Sequence, residues 1–337
     1  MRATLLAWLT QYGLTLPAAV FLFVGAVVYF SGSRLSRHAD TIASASGLGH
    51  LWIGILLLAA STSLPELVTD VYASALRAPN IGIGDLMGST LANMLILALL
   101  DLIYARKRAL DNISRDHIMV GALAIILTAM AGASIASRGF GRLGRVDIGT
   151  LLIVLLYLLG MRAVRAEQPE ATPPEQLPLG ATRRSVLRRS LIGFAFGTAA
   201  LALTSPLLVL SAEAISRSAG LDETFVGTLL VGITTSLPEA ITTIAAVRLG
   251  AMDLAVANIF GSNAFNMCVI LPMDLASPSG PVLAQAAPRS LIAAYLAIVA
   301  IGLGLLRILT PRAKSIGTWR PESILIVLVY ASAFRLL

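Results

Sequence analysis

What most limits the fold of this chain is a series of ten apolar stretches, each close to the 20 or so residues that a helix needs to cross a bilayer. They fall near 14–33, 50–73, 81–104, 117–137 and 147–165, and then near 190–212, 223–247, 254–276, 287–308 and 322–337. Composition points the same way, since 57% of the 337 residues are hydrophobic and 13% charged, against roughly a quarter charged in soluble domains. The expected fold class is an all-α polytopic membrane protein with ten transmembrane helices, five in each half.

Between the halves the sequence turns polar and proline-rich, through Pro169, Pro173 and Pro174, and cannot span. The expected units are 1–165, a linker over 166–189, and 190–337. The linker acids Glu167, Glu170 and Glu175 have no defined loop geometry and read as solvated. A net charge of +7 raises the question of nucleic acid. The basic residues, however, lie between apolar segments rather than on an amphipathic face or beside aromatics, so they act as topology signals at anionic lipid. They gather at Arg106, Lys107 and Arg108, through Arg162 to Arg189, and at Arg307 to Arg320. That pattern puts the linker in the cytoplasm and both termini outside, in a cell (inner) membrane. The start, Met1 to Gly13, shows no small-residue cleavage site and reads as mature sequence. The single Cys268 reads as a packing residue.

Five spans per half make the second half enter the membrane from the opposite side, so the repeats are inverted. Their relationship is visible in the chain itself. Thr62-Ser63-Leu64-Pro65-Glu66 returns 173 residues later as Thr235-Ser236-Leu237-Pro238-Glu239. The same offset pairs Gly54 with Gly227, Gly88 with Gly261, Ser89 with Ser262, Asn93 with Asn266 and Asp101 with Asp274. Chance apolar similarity does not place Gly, Pro, Glu, Ser and Asn in register. Inverted repeats with proline-interrupted helices in matching positions point to a secondary transporter with its site near the midplane.

The motif supplies chemistry suited to that role. A glutamate within an apolar span is costly and marks a functional site. Pro65 has no N–H for the Ser61 carbonyl, so the helix should kink and free backbone oxygens. Thr62 and Ser63 lie four and three residues before Glu66 on the same helix, which places their hydroxyls on the face that carries its carboxylate; Thr235 and Ser236 repeat this before Glu239. Ser89 with Asn93, and Ser262 with Asn266, share a face on the next span. Carboxylate, amide, hydroxyl and backbone oxygens, without imidazole or thiolate, suit Ca²⁺ and Na⁺ rather than zinc or copper. Asp101 and Asp274 fall near span ends, where water or a basic neighbour can hold them. Asp70 and Glu213 lack acidic counterparts and read as gate or surface residues at most.

At these residues the sequence resembles the cation/calcium antiporter superfamily, which contains the sodium/calcium exchangers, and its prokaryotic type in particular. The two pentapeptides look like the family's paired repeats, with Gly88-Ser89 and Gly261-Ser262-Asn263 matching its second repeat element. The resemblance covers nearly the whole chain. It implies that spans 2, 3, 7 and 8 enclose a cation site while spans 1 and 6 slide to alternate access. Glu66 and Glu239 would be the central carboxylates, with oxygens from Thr62, Ser63, Thr235 and Ser236, and Ser89, Asn93, Ser262 and Asn266 completing the site. The chain departs from the family pattern at Ser61 and Thr234, where glycine is common, at Thr90, and at Asn266, where some relatives carry aspartate. Two glutamates and two asparagines give at most two negative charges, enough for one Ca²⁺ or two monovalent ions. The function so implied is Na⁺/Ca²⁺ antiport, with H⁺/Ca²⁺ antiport as the alternative, no covalent cofactor, and inorganic cations and the lipid bilayer as partners. A channel is a further reading. An intramembrane hydrolase is disfavoured, because two identical half-sites suit ion coordination better than distinct acid and base roles; an enzyme is not expected.

Overall fold

The computed structural model describes residues 2–46, 62–104, 110, 113, 116–166, 183–248, 250–310 and 320–337. The first half contains α1 (Arg2–Thr10), α2 (Thr15–Ser46), α3 (Leu64–Ala75), α4 (Pro79–Ile103), α5 (Asp116–Ser137) and α6 (Ile148–Ala166). A two-residue hairpin, Arg142–Leu143 against Val146–Asp147, separates the last two, with Gly144 at φ 64° in its turn. The second half contains α7 (Arg183–Ala219), α8 (Glu223–Val226), a π-helical turn (Gly227–Val231), α9 (Gly232–Thr235), α10 (Leu237–Arg248), α11 (Met252–Cys268), α12 (Ile270–Ala276), α13 (Val282–Gln285), α14 (Pro288–Leu309) and α15 (Pro321–Leu336).

The protein is a helical membrane protein. Six described helices are long and apolar enough to cross a bilayer, and a seventh span arises if the bent run from Glu223 to Arg248 counts as one. Helices α4, α5 and α14 start and stop within two residues of the apolar stretches expected for them. Helices α2 and α7 extend well past theirs. Hydropathy ends where the hydrocarbon ends, whereas the i→i−4 ladder continues through polar turns in the headgroup layer. The early part of the second expected span and most of the linker, including its three acids, lie outside the described residues.

Two apolar cores organise the bundle. The larger packs α4, α5, α6, α11, α14 and α15 together. The smaller joins α2 and α7, which lie along one another, to Ala73, Ile81, Val226 and Val231. Spans α4 and α11–α12 are central, with 72% and 78% of their apolar windows buried, against 33% and 28% for α2 and α7. The outer faces of α2 and α7 expose Leu22, Phe23, Phe30, Phe196 and Leu203, as suits contact with lipid tails. Helices α3, α4, α10 and α11 thus meet at the seam between the two cores.

The paired aspartates at the far ends of α4 and α12 serve the fold. Asp101 is held by Arg307, Nε to Oδ2 at 2.8 Å and Nη2 to Oδ1 at 2.9 Å, and accepts from Ser323 at 2.6 Å. Asp274 accepts from the Val282 and Asp147 amides at 2.7 and 3.1 Å and from Thr150 Oγ1 at 2.8 Å. The expectation of a basic neighbour holds for Asp101, whereas Asp274 is held by backbone amides and a threonine hydroxyl instead. Glu213 is buried and paired with Arg217 at 2.8 Å, not at the surface.

Candidate cation site

The repeated motif breaks its helix in both halves. In the second, the π-helical turn Gly227–Val231 leads into α9, Ser236 leaves helical geometry at φ −80° and ψ 3°, and α10 departs at 43° to the preceding run. A π-turn followed by Pro238 accounts for that bend, since the turn shifts the ladder by one residue and the proline removes a donor. Ser63 takes nearly the same conformation, φ −84° and ψ 11°, before α3.

This break changes where the hydroxyls point. On a continuous helix Ser63 would serve Glu66; here Ser63 Oγ donates to Glu239 Oε1 at 3.1 Å, and Ser236 Oγ donates to Glu66 Oε1 at 3.2 Å. The threonines cross as well. Thr62 Oγ1 lies 3.2 Å from Ser262 Oγ, and Thr235 Oγ1 lies 3.2 Å from Ser89 Oγ. Each bond has its counterpart when every residue is exchanged for the one 173 positions away. Ser89 also donates to Glu66 Oε1 at 3.2 Å. The approach is possible because Gly88 lies against the Thr228 backbone, where a Cβ would overlap the carbonyl.

The structure therefore joins Glu66, Ser89, Thr235 and Ser236 in one hydrogen-bonded group, and links Ser63 to Glu239 and Thr62 to Ser262 in the reciprocal positions beside it. Asn93 is buried one turn beyond Ser89 and donates from Nδ2 to Asn263 Oδ1 at 2.9 Å, leaving its own Oδ1 without a donor. Asn266 is buried one turn beyond Ser262, and neither amide atom has a partner.

Two further buried acids adjoin these groups, which raises the count of two charges to four. Asp85 is fully buried; its Oδ1 accepts from Thr235 at 2.8 Å and lies 3.2 Å from Ser89 Oγ, whose single proton can serve either Asp85 or Glu66. Asp70 is fully buried too, not at the surface. Spacing alone flags Asp85, since 85, 89 and 93 fall on one helical face. Asn258, its counterpart in the second half, accepts from Thr62 Oγ1 at 3.4 Å.

One oxygen each of Glu66, Glu239 and Asp85, and both of Asp70, are buried without a donor. The ion pairs found among the described residues lie elsewhere. No three acidic, imidazole or thiol groups among the described residues converge into a metal cluster. Any ion held here must draw on hydroxyl, amide and backbone oxygens beside the carboxylates, which fits a hard cation.

The sequence profile of the sodium/calcium exchanger protein family matches residues 16–164 and 189–335. The chain belongs to that family. Among relatives of this exchanger-family chain, the putative antiporter CaxA of Alkalimonas amylolytica is 28% identical over 307 residues, covering 86% of this chain and 91% of its own. The sodium/calcium exchanger MaX1 of Methanosarcina acetivorans is 27% identical over 288 residues, covering 76% and 81%. In fold, the chain is similar to the sodium-calcium exchanger NCX_Mj, with a TM-score of 0.61, 21% identity and coverage of 96% and 99%. It is also similar to an H⁺/Ca²⁺ exchanger, CAX, with a TM-score of 0.67, 14% identity and coverage of 95% and 87%.

Proposed function

We propose that this protein is a secondary active antiporter that exchanges Ca²⁺ for Na⁺ by alternating access, through ten spans arranged as two inverted halves. Glu66 and Glu239 supply the charge. Thr62, Ser63, Thr235, Ser236, Ser89, Asn93, Ser262 and Asn266 supply neutral oxygens. Both termini face outside, and the linker faces the cytoplasm of a cell that holds the protein in its inner membrane.

The observation that carries this reading is the reciprocal exchange of hydroxyls, Ser63 to Glu239 and Ser236 to Glu66. Each carboxylate is oriented by the opposite half, and each keeps one buried oxygen free for a ligand. A buried carboxylate without a basic neighbour is neutralised either by a proton or by a bound cation. Family membership and the names of the relatives support Ca²⁺ as one transported ion.

In proteoliposomes, an imposed Na⁺ gradient should drive Ca²⁺ uptake that disappears in Glu66→Gln and in Glu239→Gln. Undiminished uptake in both variants overturns the assignment. H⁺/Ca²⁺ exchange is the second reading, favoured by the presence of four buried carboxylates where one Ca²⁺ balances two. It predicts uptake driven by a pH gradient in the absence of Na⁺.

A further inference from the structure

Helix α3 carries Glu66 and Asp70 one turn apart on one face, and α4 carries Asp85, Ser89 and Asn93 at the same spacing. The two helices pack against each other, joined by the short connection 76–78. Glu66 consequently meets Ser89, and one turn nearer the connection Asp70 meets Asp85 within hydrogen-bonding reach. The backbones are close at this level, since a Cβ on Gly82 would lie 3.4 Å from the Asp70 Cα. Ionised carboxylates only accept, so neither can satisfy the other. Both oxygens of Asp70 and Oδ2 of Asp85 are buried and meet no donor.

The other half provides an internal control. At the 173-residue offset, Asp70 corresponds to Thr243 and Asp85 to Asn258. There Asn258 Nδ2 donates to Thr243 Oγ1 at 3.1 Å. A neutral donor–acceptor pair is therefore sufficient for packing at this level. Two acids in its place, when both are ionised, put like charges face to face in a medium of low dielectric, and a hydrogen bond between them requires a proton held on one of the two. A cation between them removes both the repulsion and the unmet acceptors.

We propose that Asp70 and Asp85 form a second cation subsite, one helical turn from the central cluster on the side of residues 76–78, for a hard and partly hydrated cation. Two carboxylates balance a divalent ion, so Ca²⁺ is the favoured occupant over Na⁺. Asp70 offers both oxygens and Asp85 its Oδ2, with water completing the shell, as is usual for Ca²⁺. The proposal rests on reading the neighbouring cluster as a cation site, because Asp85 Oδ1 shares Ser89 and Thr235 with it.

The test is equilibrium dialysis of the full chain in detergent against radiolabelled Ca²⁺. The Asp70→Thr/Asp85→Asn variant installs the pair that the second half already packs. It should lose one bound equivalent and retain the one that Glu66→Gln/Glu239→Gln removes. The latter variant should in turn keep the Asp70–Asp85 equivalent. Should Asp70→Thr/Asp85→Asn fail to give a monodisperse protein, Asp85→Asn alone supplies Asp70 with an amide donor. It should weaken the second equivalent more than about tenfold, as removal of a unit charge from a low-dielectric site requires. Unchanged stoichiometry and affinity in the Asp70 and Asp85 variants overturns the subsite and leaves the central reading intact. An equivalent lost in those variants, with none lost in the glutamate variants, supports the subsite and overturns the central reading instead.

Discussion

One turn from its central glutamate, the first half places Asp70 opposite Asp85, whereas the second places Thr243 opposite Asn258. At the centre the halves agree, with the same serine-to-glutamate bond made in both directions. At the periphery they agree in residue and differ in partner, because Asp101 is held by Arg307 and Asp274 by backbone amides and Thr150. The levels respond to different requirements. In the proposed antiporter the centre must present one geometry from either side of the membrane. The outermost acids need only a local donor, which a guanidinium or a pair of N–H groups can supply equally well. Only the intermediate level differs in charge, and there the neutral version pairs a donor with an acceptor, while the acidic version has no donor when both acids are ionised.

The sharpest way to break this comparison is at the centre. Glu66→Gln and Glu239→Gln should reduce Na⁺-driven Ca²⁺ uptake by similar factors, each about a hundredfold or more, since a unit charge about 4 Å away at an effective dielectric near 20 is worth roughly 4 kcal/mol. Unequal losses would mean that the halves are not equivalent there. At the periphery, Arg307→Met strands a buried Asp101 and should cost about 3–5 kcal/mol. Asp274→Asn leaves a carbonyl acceptor for the same donors and should cost about 1–3 kcal/mol. Melting of the detergent-solubilised protein checks the order, and a larger loss for Asp274→Asn would reverse the account of the two anchors.

At the intermediate level, Thr243→Asp/Asn258→Asp should give the second half a site like the one proposed for the first. Dialysis should then detect one additional Ca²⁺ equivalent with Kd on the order of a millimolar, the weak end of protein Ca²⁺ sites. The smallest change is expected from Asn266→Asp, because both amide atoms of Asn266 lack partners and no bond is lost. It should tighten Ca²⁺ binding about tenfold, or about 1.4 kcal/mol.

Much of this was legible in the sequence because a bilayer imposes one rule on every span. Helices α4, α5 and α14 could be bounded by hydropathy alone, and the central cluster by a single offset. Asp85 escaped that offset for a definite reason: matching identities finds what two halves share, and 85 and 258 carry different residues. The crossing of Ser63 and Ser236 to the opposite glutamate was hidden for another reason. Helical spacing places a side chain only while the helix continues, and both serines sit where it stops.

The serine that orients each glutamate lies 176 or 170 residues away along the chain. While the protein is being made, the first half can enter the membrane with Glu66 bonded to Ser89 of its own half and without the serine of the opposite half, since domains form from the N-terminus onward during synthesis. On the function proposed above, the pathway for ions comes into being only when the second half arrives. A truncated product therefore places no assembled ion conduit in the membrane, and assembly of the site doubles as a check that translation has passed Glu239.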